Sequence, residues 1–274
     1  MKKLFLFIFL ASSSLSSSRE LLSLEGNEWL GFWVGYETRK FDFAVGCDGT
    51  SQFMMKQRGK KGIERVSLYR KFLVTYNLEE RSDSKKWRKR TMLTDSFETD
   101  QTSSLDAEKF NYSVDYKGGG RVAVDHEIDG REVKIKIENL TEESKAEQRV
   151  GVTFKVPETY RNLSSFTEQE IVKKMKGDEV GFVTTSGKKI KLALSDIVEL
   201  SEEEFAKEGV SKFYINSKAL GGKTLSLSLD SKDSGEFVFG QPRKRGLYKG
   251  FTITWYPKDS AKTSKPPVLL VEVE

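Results

Sequence analysis

The sequence predicts an all-β protein: a large antiparallel β-sandwich, of the jelly-roll or super-sandwich type, with two short connecting helices. Three observations predict it. Apolar residues recur at every second position, Gly, Ser-Gly and Asp-Gly turns separate the alternating runs, and helical spacing is confined to two short stretches. Antiparallel sheets with one wet face produce this alternation.

Taken in order, "KFDFAV" places Phe41, Phe43 and Val45 on one face, and "CDGT" then supplies an Asp-Gly turn. "RVSLYRKFLVTYNL" alternates Val66, Leu68, Phe72, Val74, Tyr76 and Leu78, with Arg70 breaking the apolar set. "FNYSVDYK" sets Phe110, Tyr112, Val114 and Tyr116 against Asn111, Ser113, Asp115 and Lys117. "YKGGGRV" reads as a turn between strands, since no helix follows that could make it a phosphate loop. "RVGVTFKVP" repeats the alternation with Val150, Val152, Phe154 and Val156. Further strands follow in "EVGFVTT", "KKIKLAL", "KTLSLSLD", "GEFVFG", "GFTITWYP" and "PVLLVEVE". In "FTEQEIVKKMKG", Thr167 and Glu170 have capping-box spacing and Gly177 fits the stop. "SEEEFAKEG" repeats the box with Ser201 and Glu204, ending at Gly209.

The chain opens "MKKLFLFIFLASSSLSSSREL". Two lysines, an apolar run from Leu4 to Ala11 and a Ser-rich tail make the three-part pattern of a secretory signal peptide, residues 1–18. Small residues permit cleavage after Ser13 or Ser18, and the run is shorter than the roughly 20 residues a bilayer requires. The expectation is an exported protein, periplasmic or extracellular, with one large sandwich over residues 19–274 and a candidate subdivision near 157–169. Cys47 is the sole cysteine, so no intrachain disulfide forms. Asn111, Asn139 and Asn162 open glycosylation sequons, which matter in a host that uses them.

Composition narrows the function classes. The formal charge of +5 falls by two when Lys2 and Lys3 leave with the signal peptide, and both signs are mixed along the chain. That is a solvated surface and no nucleic-acid-binding composition. The concentrated basic run is "KKWRKR", Lys85 to Arg90. One His and one Cys cannot build a multi-ligand zinc site, so no metal or other cofactor is implied. A Ser-His-Asp hydrolase would need His126 as base, and no G-x-S-x-G elbow is present.

The lone histidine lies in "GGGRVAVDHEIDGREVKIKIE", beside Asp125, Glu127 and Asp129. An Asp129-Gly130 two-residue turn would place Glu127 opposite Glu132, His126 opposite Val133, and Asp125 opposite Lys134. His126 then shares a face with Val122, Val124, Val133, Ile135 and Ile137, away from its neighbouring carboxylates. The expectation is a structural histidine. A calcium-loop reading of the same stretch fails at Lys136, where a bidentate Glu would be needed. In "TDSFETDQTSSLDAE", Asp95, Glu98, Asp100 and Asp106 keep carboxylate catalysis open without establishing a facing pair.

The aromatic residues carry the functional expectation. "NEWLGFWVGYETRKF" concentrates Trp29, Phe32, Trp33 and Tyr36; Trp87 lies in the basic run and Trp255 beside Tyr256. Rings with polar tips suit a ligand that combines flat apolar faces with hydroxyls, as sugars do. Trp33, Tyr36, Trp87 and Trp255 are the candidate contacts, with Lys86 and Arg88 to meet acidic groups. "EVKIKIENLTEES", residues 132–144, is similar in texture to strands of bacterial extracellular sandwich domains, including those attached to polysaccharide-processing enzymes. The expected function is non-catalytic binding of a polysaccharide or envelope polymer. The alternatives are a polysaccharide lyase or glycosidase, and a structural envelope protein.

Overall fold

The computed structural model describes residues 31–59, 62–65, 71–81, 86–141, 146–160, 166–196, 209–230, 235–240, 246–258 and 266–274. The signal-peptide pattern, Trp29, Asn162 and the Ser201–Glu204 box lie outside the described residues, as does the stretch from Val66 to Arg70. In chain order the strands are β1 (Phe32–Glu37), β2 (Phe41–Gly46), β3 (Ser51–Gly59), β4 (Gly62–Arg65), β5 (Phe72–Arg81) and β6 (Arg88–Lys89). Then come β7 (Ser104–Leu105), β8 (Lys109–Asp115), β9 (Arg121–Asp129), β10 (Glu132–Asn139) and β11 (Glu147–Val156). Helix α1 (Glu168–Met175) precedes β12 (Glu179–Thr184), β13 (Lys189–Ala193), β14 (Val210–Ser217) and β15 (Lys223–Leu229). The last three are β16 (Glu236–Gly240), β17 (Phe251–Tyr256) and β18 (Leu269–Val273).

The strands form an all-β sandwich. One sheet has the order β16-β17-β11-β5-β3-β2-β1-β7, with β4 added on β3 and β6 on β5; the other runs β13-β12-β14-β15-β18-β10-β9-β8. Pairings are antiparallel except between β1 and β7. Strands on either side of residues 157–169 pair directly, β11 with β17 and β10 with β18, so the two halves of the chain share both sheets.

Alternation delivers the core. Phe72, Val74, Tyr76 and Leu78 of β5, Phe110, Tyr112 and Val114 of β8, and Val122, Val124 and His126 of β9 are all buried, and the apolar members join one cluster. Rings from the two sheets meet across the gap in the pairs Phe43–His126, Tyr76–Tyr112, Phe182–Phe239 and Phe213–Phe251. Each large apolar side chain so enclosed contributes roughly 1.5–3 kcal/mol of burial free energy. Helix α1 forms as expected: the Thr167 hydroxyl caps the Glu170 amide and the Glu170 carboxylate accepts from the Thr167 amide.

One local expectation needs correction. The β9–β10 hairpin turns on Gly130-Arg131, closed by Asp129 opposite Glu132, and not on Asp129-Gly130. Gly130 takes φ +40° while Arg131 stays at negative φ. That fits a II′-type turn, which wants Gly at its first central position; the turn read from the sequence would have forced Asp129 to positive φ. The pairing slides by two residues along one strand, so the faces are kept but the partners change. Glu127 now faces Lys134, with Nζ 3.5 Å from its carboxylate, and the unfavourable Glu127–Glu132 pair disappears.

In β1 the register shifts between Phe32, opposite Gly46, and Val34, opposite Val45. Trp33 is the extra residue of this bulge. The shift turns Phe32 to the side of Ala44 and Met54 and lets Trp33 lean on the main core.

Candidate functional site

His126 lies at the centre of the sandwich, at 2% exposure. Its Nε2 lies 2.7 Å from the Tyr76 hydroxyl, which is 2.9 Å from the Ser51 hydroxyl. Phe43 and Tyr112 pack against the ring, while Nδ1 turns towards the Phe110 carbonyl without a well-formed hydrogen bond. Burial pushes the imidazole down to about 3, so it is neutral at ordinary pH, and burial likewise raises the Tyr76 phenol. The imidazole is enclosed in this core network, although His126 also borders a small cleft of about 210 Å³ with Asn111, Asp125, Glu127 and Lys134.

The acidic loop is held to the sheet by backbone hydrogen bonds. It forms a strap along β8, with Glu98 and Ser113 exchanging backbone hydrogen bonds of 3.0 and 2.9 Å. The Glu98 carboxylate pairs with Arg121, and Asp95, Asp100 and Asp106 are exposed. Among the described residues, no group of three or more His, Cys, Asp or Glu side chains is placed to hold a metal.

The expected aromatic contacts separate. Trp255 is fully buried, on the inward side of β17 with Phe251 and Ile253; this corrects its assignment as a ligand contact, because core packing leaves the ring no outward face. Trp33 is half-buried, its indole N–H donating to the Gln101 carbonyl at 3.1 Å and its ring on Phe97, so it fastens the strap. Tyr36 is half-buried opposite Phe43. Trp33 and Tyr36 stand on β1, three strands away from β5 and the Trp87 segment.

Trp87 is different. It lines a cleft of about 640 Å³ where the end of β10 meets the start of β11 and the end of β17. Lys86 and Arg88, both exposed, are not among the lining residues. The groups around Trp87 are Arg149 and Tyr256, with Glu138, Glu147 and Glu236 at the cleft surface.

The sheet builds this site in layers. Alternation puts Val150 and Val152 inward, hence Arg149 and Gly151 outward; likewise Trp255 inward and Tyr256 outward. Any Cβ at Gly151 would come within 2.8 Å of the Tyr256 ring, so glycine is required for the ring to lie there. The Arg149 guanidinium stands 3.7 Å from the Tyr256 ring centre and 4.3 Å from that of Trp87; Arg81 is 4.9 Å from Trp87. Cation–π contacts of this kind contribute roughly 0.5–2 kcal/mol each, more as water is excluded.

Glu79 anchors the layers. It sits directly opposite Arg149 in the β5–β11 pairing, with 4% side-chain exposure. Its Oε2 accepts from Arg149 Nε at 2.9 Å and lies 2.8 Å from Nη2, and its Oε1 accepts from the Tyr256 hydroxyl at 2.9 Å. Burial, then the Glu79 charge, holds the Tyr256 phenol well above its ordinary range, so Tyr256 stays protonated and donates. The sequence reading missed Arg149, Tyr256 and Glu79. Alternation in "TITWYP" already placed Tyr256 on the opposite face from Trp255, but pairing β5 with β11 joins residues 70 positions apart, which no local pattern reveals.

No known protein family and no curated protein matches the sequence. Among solved structures, the fold is similar to α-N-acetylgalactosaminidase NagBb from Bifidobacterium bifidum. The complex with GalNAc gives a TM-score of 0.52 at 10% identity, and a quadruple mutant gives 0.51 at 9%. The likeness covers 88% of this chain but 36% of the solved one. What the two share is the fold. No helix among the described residues is long and apolar enough to cross a membrane.

Proposed function

We propose that the chain is an exported, non-catalytic sandwich protein that binds a glycan or envelope polymer through the Trp87 cleft. The observation that carries this reading is the layered stack of Gly151, Tyr256, Arg149 and Trp87, which fixes an indole at the wall of a cleft edged with hydrogen-bonding groups. Such a site combines a flat apolar contact with polar rims, the requirements of a sugar ring. The name of NagBb, whose solved chain resembles this one in fold, is in keeping with carbohydrate as the ligand class.

Binding is favoured over turnover by the state of the polar groups. Tyr256 is held protonated against Glu79, which disfavours it as the base of a lyase. Both Glu79 oxygens are engaged, by Arg149 and by Tyr256, and of the carboxylates at the cleft surface Glu147 is paired with Arg81 while Glu236 lies 3.9 Å from Arg149. The test is a retention screen of the mature protein on neutral, amino and acidic polysaccharides, with a product assay on the same polymers. The reading predicts retention on at least one polymer without release of reducing ends or unsaturated products. Retention on none sinks it, and product release would move the protein to the enzyme class.

A further inference from the structure

The two guanidinium groups that stack on Trp87, those of Arg149 and Arg81, are each paired with a carboxylate. Arg149 places Nε and Nη2 on one oxygen of Glu79, and its Nη1 lies 3.9 Å from Glu236. Arg81 places Nε and Nη2 on one oxygen of Glu147. Arg90, at the end of the same basic run, pairs with Glu80. Two of these carboxylates are more exposed than the cations they meet: Glu147 is 57% exposed and Glu236 66%, against 38% for Arg81 and 26% for Arg149, whereas Glu79 is buried beneath Arg149 at 4%. Glu138 and Lys258 complete the charged lining. The basic run that suggested an acidic ligand thus brings its tryptophan into a cleft whose exposed lining carries three carboxylates, Glu138, Glu147 and Glu236, against one ammonium, Lys258.

We infer that Glu79 is the specificity-determining residue of this cleft: by neutralising Arg149 beneath Trp87 it makes the site select neutral sugar rings over polymers bearing carboxylate or sulfate. This rests on the glycan-binding reading above. A uronate or sulfate seated on Trp87 would find Arg149 and Arg81 each already paired with a carboxylate and would meet Glu147 and Glu236 as like charges, a juxtaposition that suppresses wrong partners. A hydrophobic pair of the same volume would serve stability at least as well as a buried ion pair. What Glu79 adds is charge balance and the fixed position of Arg149 under the indole. Glu79 is a positioning residue in that second respect, since it touches Arg149 and Tyr256 and not the ligand.

The experiment compares affinities for two probes, the neutral polymer best retained in the screen and polygalacturonate, across wild type, Glu79→Gln and Glu147→Gln. Wild type is expected to favour the neutral probe by about tenfold or more. Glu79→Gln frees the Arg149 charge, so the ratio moves about tenfold towards polygalacturonate, and the gain disappears at high salt. Glu147→Gln lies at an exposed position outside the core and frees Arg81; it moves the ratio about threefold in the same direction. If Glu79→Gln does not fold, Arg149→Gln takes its place: it removes the cation that Glu79 neutralises and leaves the Glu79 charge uncompensated, so the ratio should move further from polygalacturonate. A ratio unchanged in the folded variants, or a wild-type preference for polygalacturonate, overturns the inference while leaving glycan binding standing. Wild-type binding to no polymer at all overturns the parent reading, and this one with it.

Discussion

Lowering the pH from about 7 to about 5 should weaken the fold through one residue, His126. Its imidazole is enclosed by Tyr76, Ser51 and Phe43 from one sheet and by Phe110 and Tyr112 from the other, with no carboxylate among these neighbours. Burial lowers it from 6.5 to about 3 in the folded chain, while the unfolded chain keeps the ordinary value. Between these values the unfolded state binds more protons, so stability is greatest above the ordinary value and is lost as pH falls. One unit corresponds to about 1.4 kcal/mol, which gives a loss of about 2 kcal/mol by pH ~5, before most carboxylates titrate. His126→Gln removes the titration while keeping an acceptor for the Tyr76 hydroxyl. Urea unfolding followed by tryptophan fluorescence at three pH values measures both proteins. Wild type should lose about 2 kcal/mol more than the variant over that interval. Equal slopes, or a wild type that gains stability as pH falls, would refute the buried neutral histidine.

Other perturbations read other parts of the structure. Gly151→Ala puts a Cβ within 2.8 Å of the Tyr256 ring; it should cost about 1–3 kcal/mol in unfolding free energy and reduce glycan retention by displacing Arg149 and Trp87. Asp178, 2% exposed, accepts from Tyr160 and Ser217 at 2.5 and 2.6 Å; Asp178→Ala should cost about 3 kcal/mol by the same assay, and a change below about 0.5 would contradict its role in tying the turn between α1 and β12 to the end of β14. Thr167→Ala removes the capping box and should cost about 1 kcal/mol, seen as faster amide exchange in the first turn of α1.

Much of the fold was legible because sheet formation leaves a local trace. The alternation of Phe72 to Leu78, Phe110 to Val114 and Val150 to Val156 reports which face is wet, and in each run the apolar members are buried. The structural fate of His126 followed from the same parity, and it survived an error in the turn. Sliding a hairpin by two residues changes partners and not faces. The bulge at Trp33 left no such trace, because an extra residue reverses parity wherever it is inserted.

The site was half legible. Trp87 stood out by type and by the charges around it, whereas Trp255 was chosen by size against the parity that buries it. Glu79, Arg149 and Tyr256 come from β5, β11 and β17, and strand order is set by long-range packing that no short stretch encodes. Charge pairing was hidden for the same reason. "KKWRKR" reads as a solvated basic run, and Lys86, Arg88 and Lys89 are exposed, but the carboxylates that meet Arg90, Arg149 and Arg81 come from Glu80, Glu79 and Glu147.

The central claim is that Trp87 carries the ligand, and its most direct measurement is the affinity of Trp87→Ala against that of Trp33→Ala for one retained polymer. Loss of a stacked ring contact of about 1.4 kcal/mol predicts about tenfold weaker binding for Trp87→Ala, with Trp33→Ala close to wild type. Wild-type affinity in a folded Trp87→Ala protein, or an equal loss at Trp33, would contradict the account.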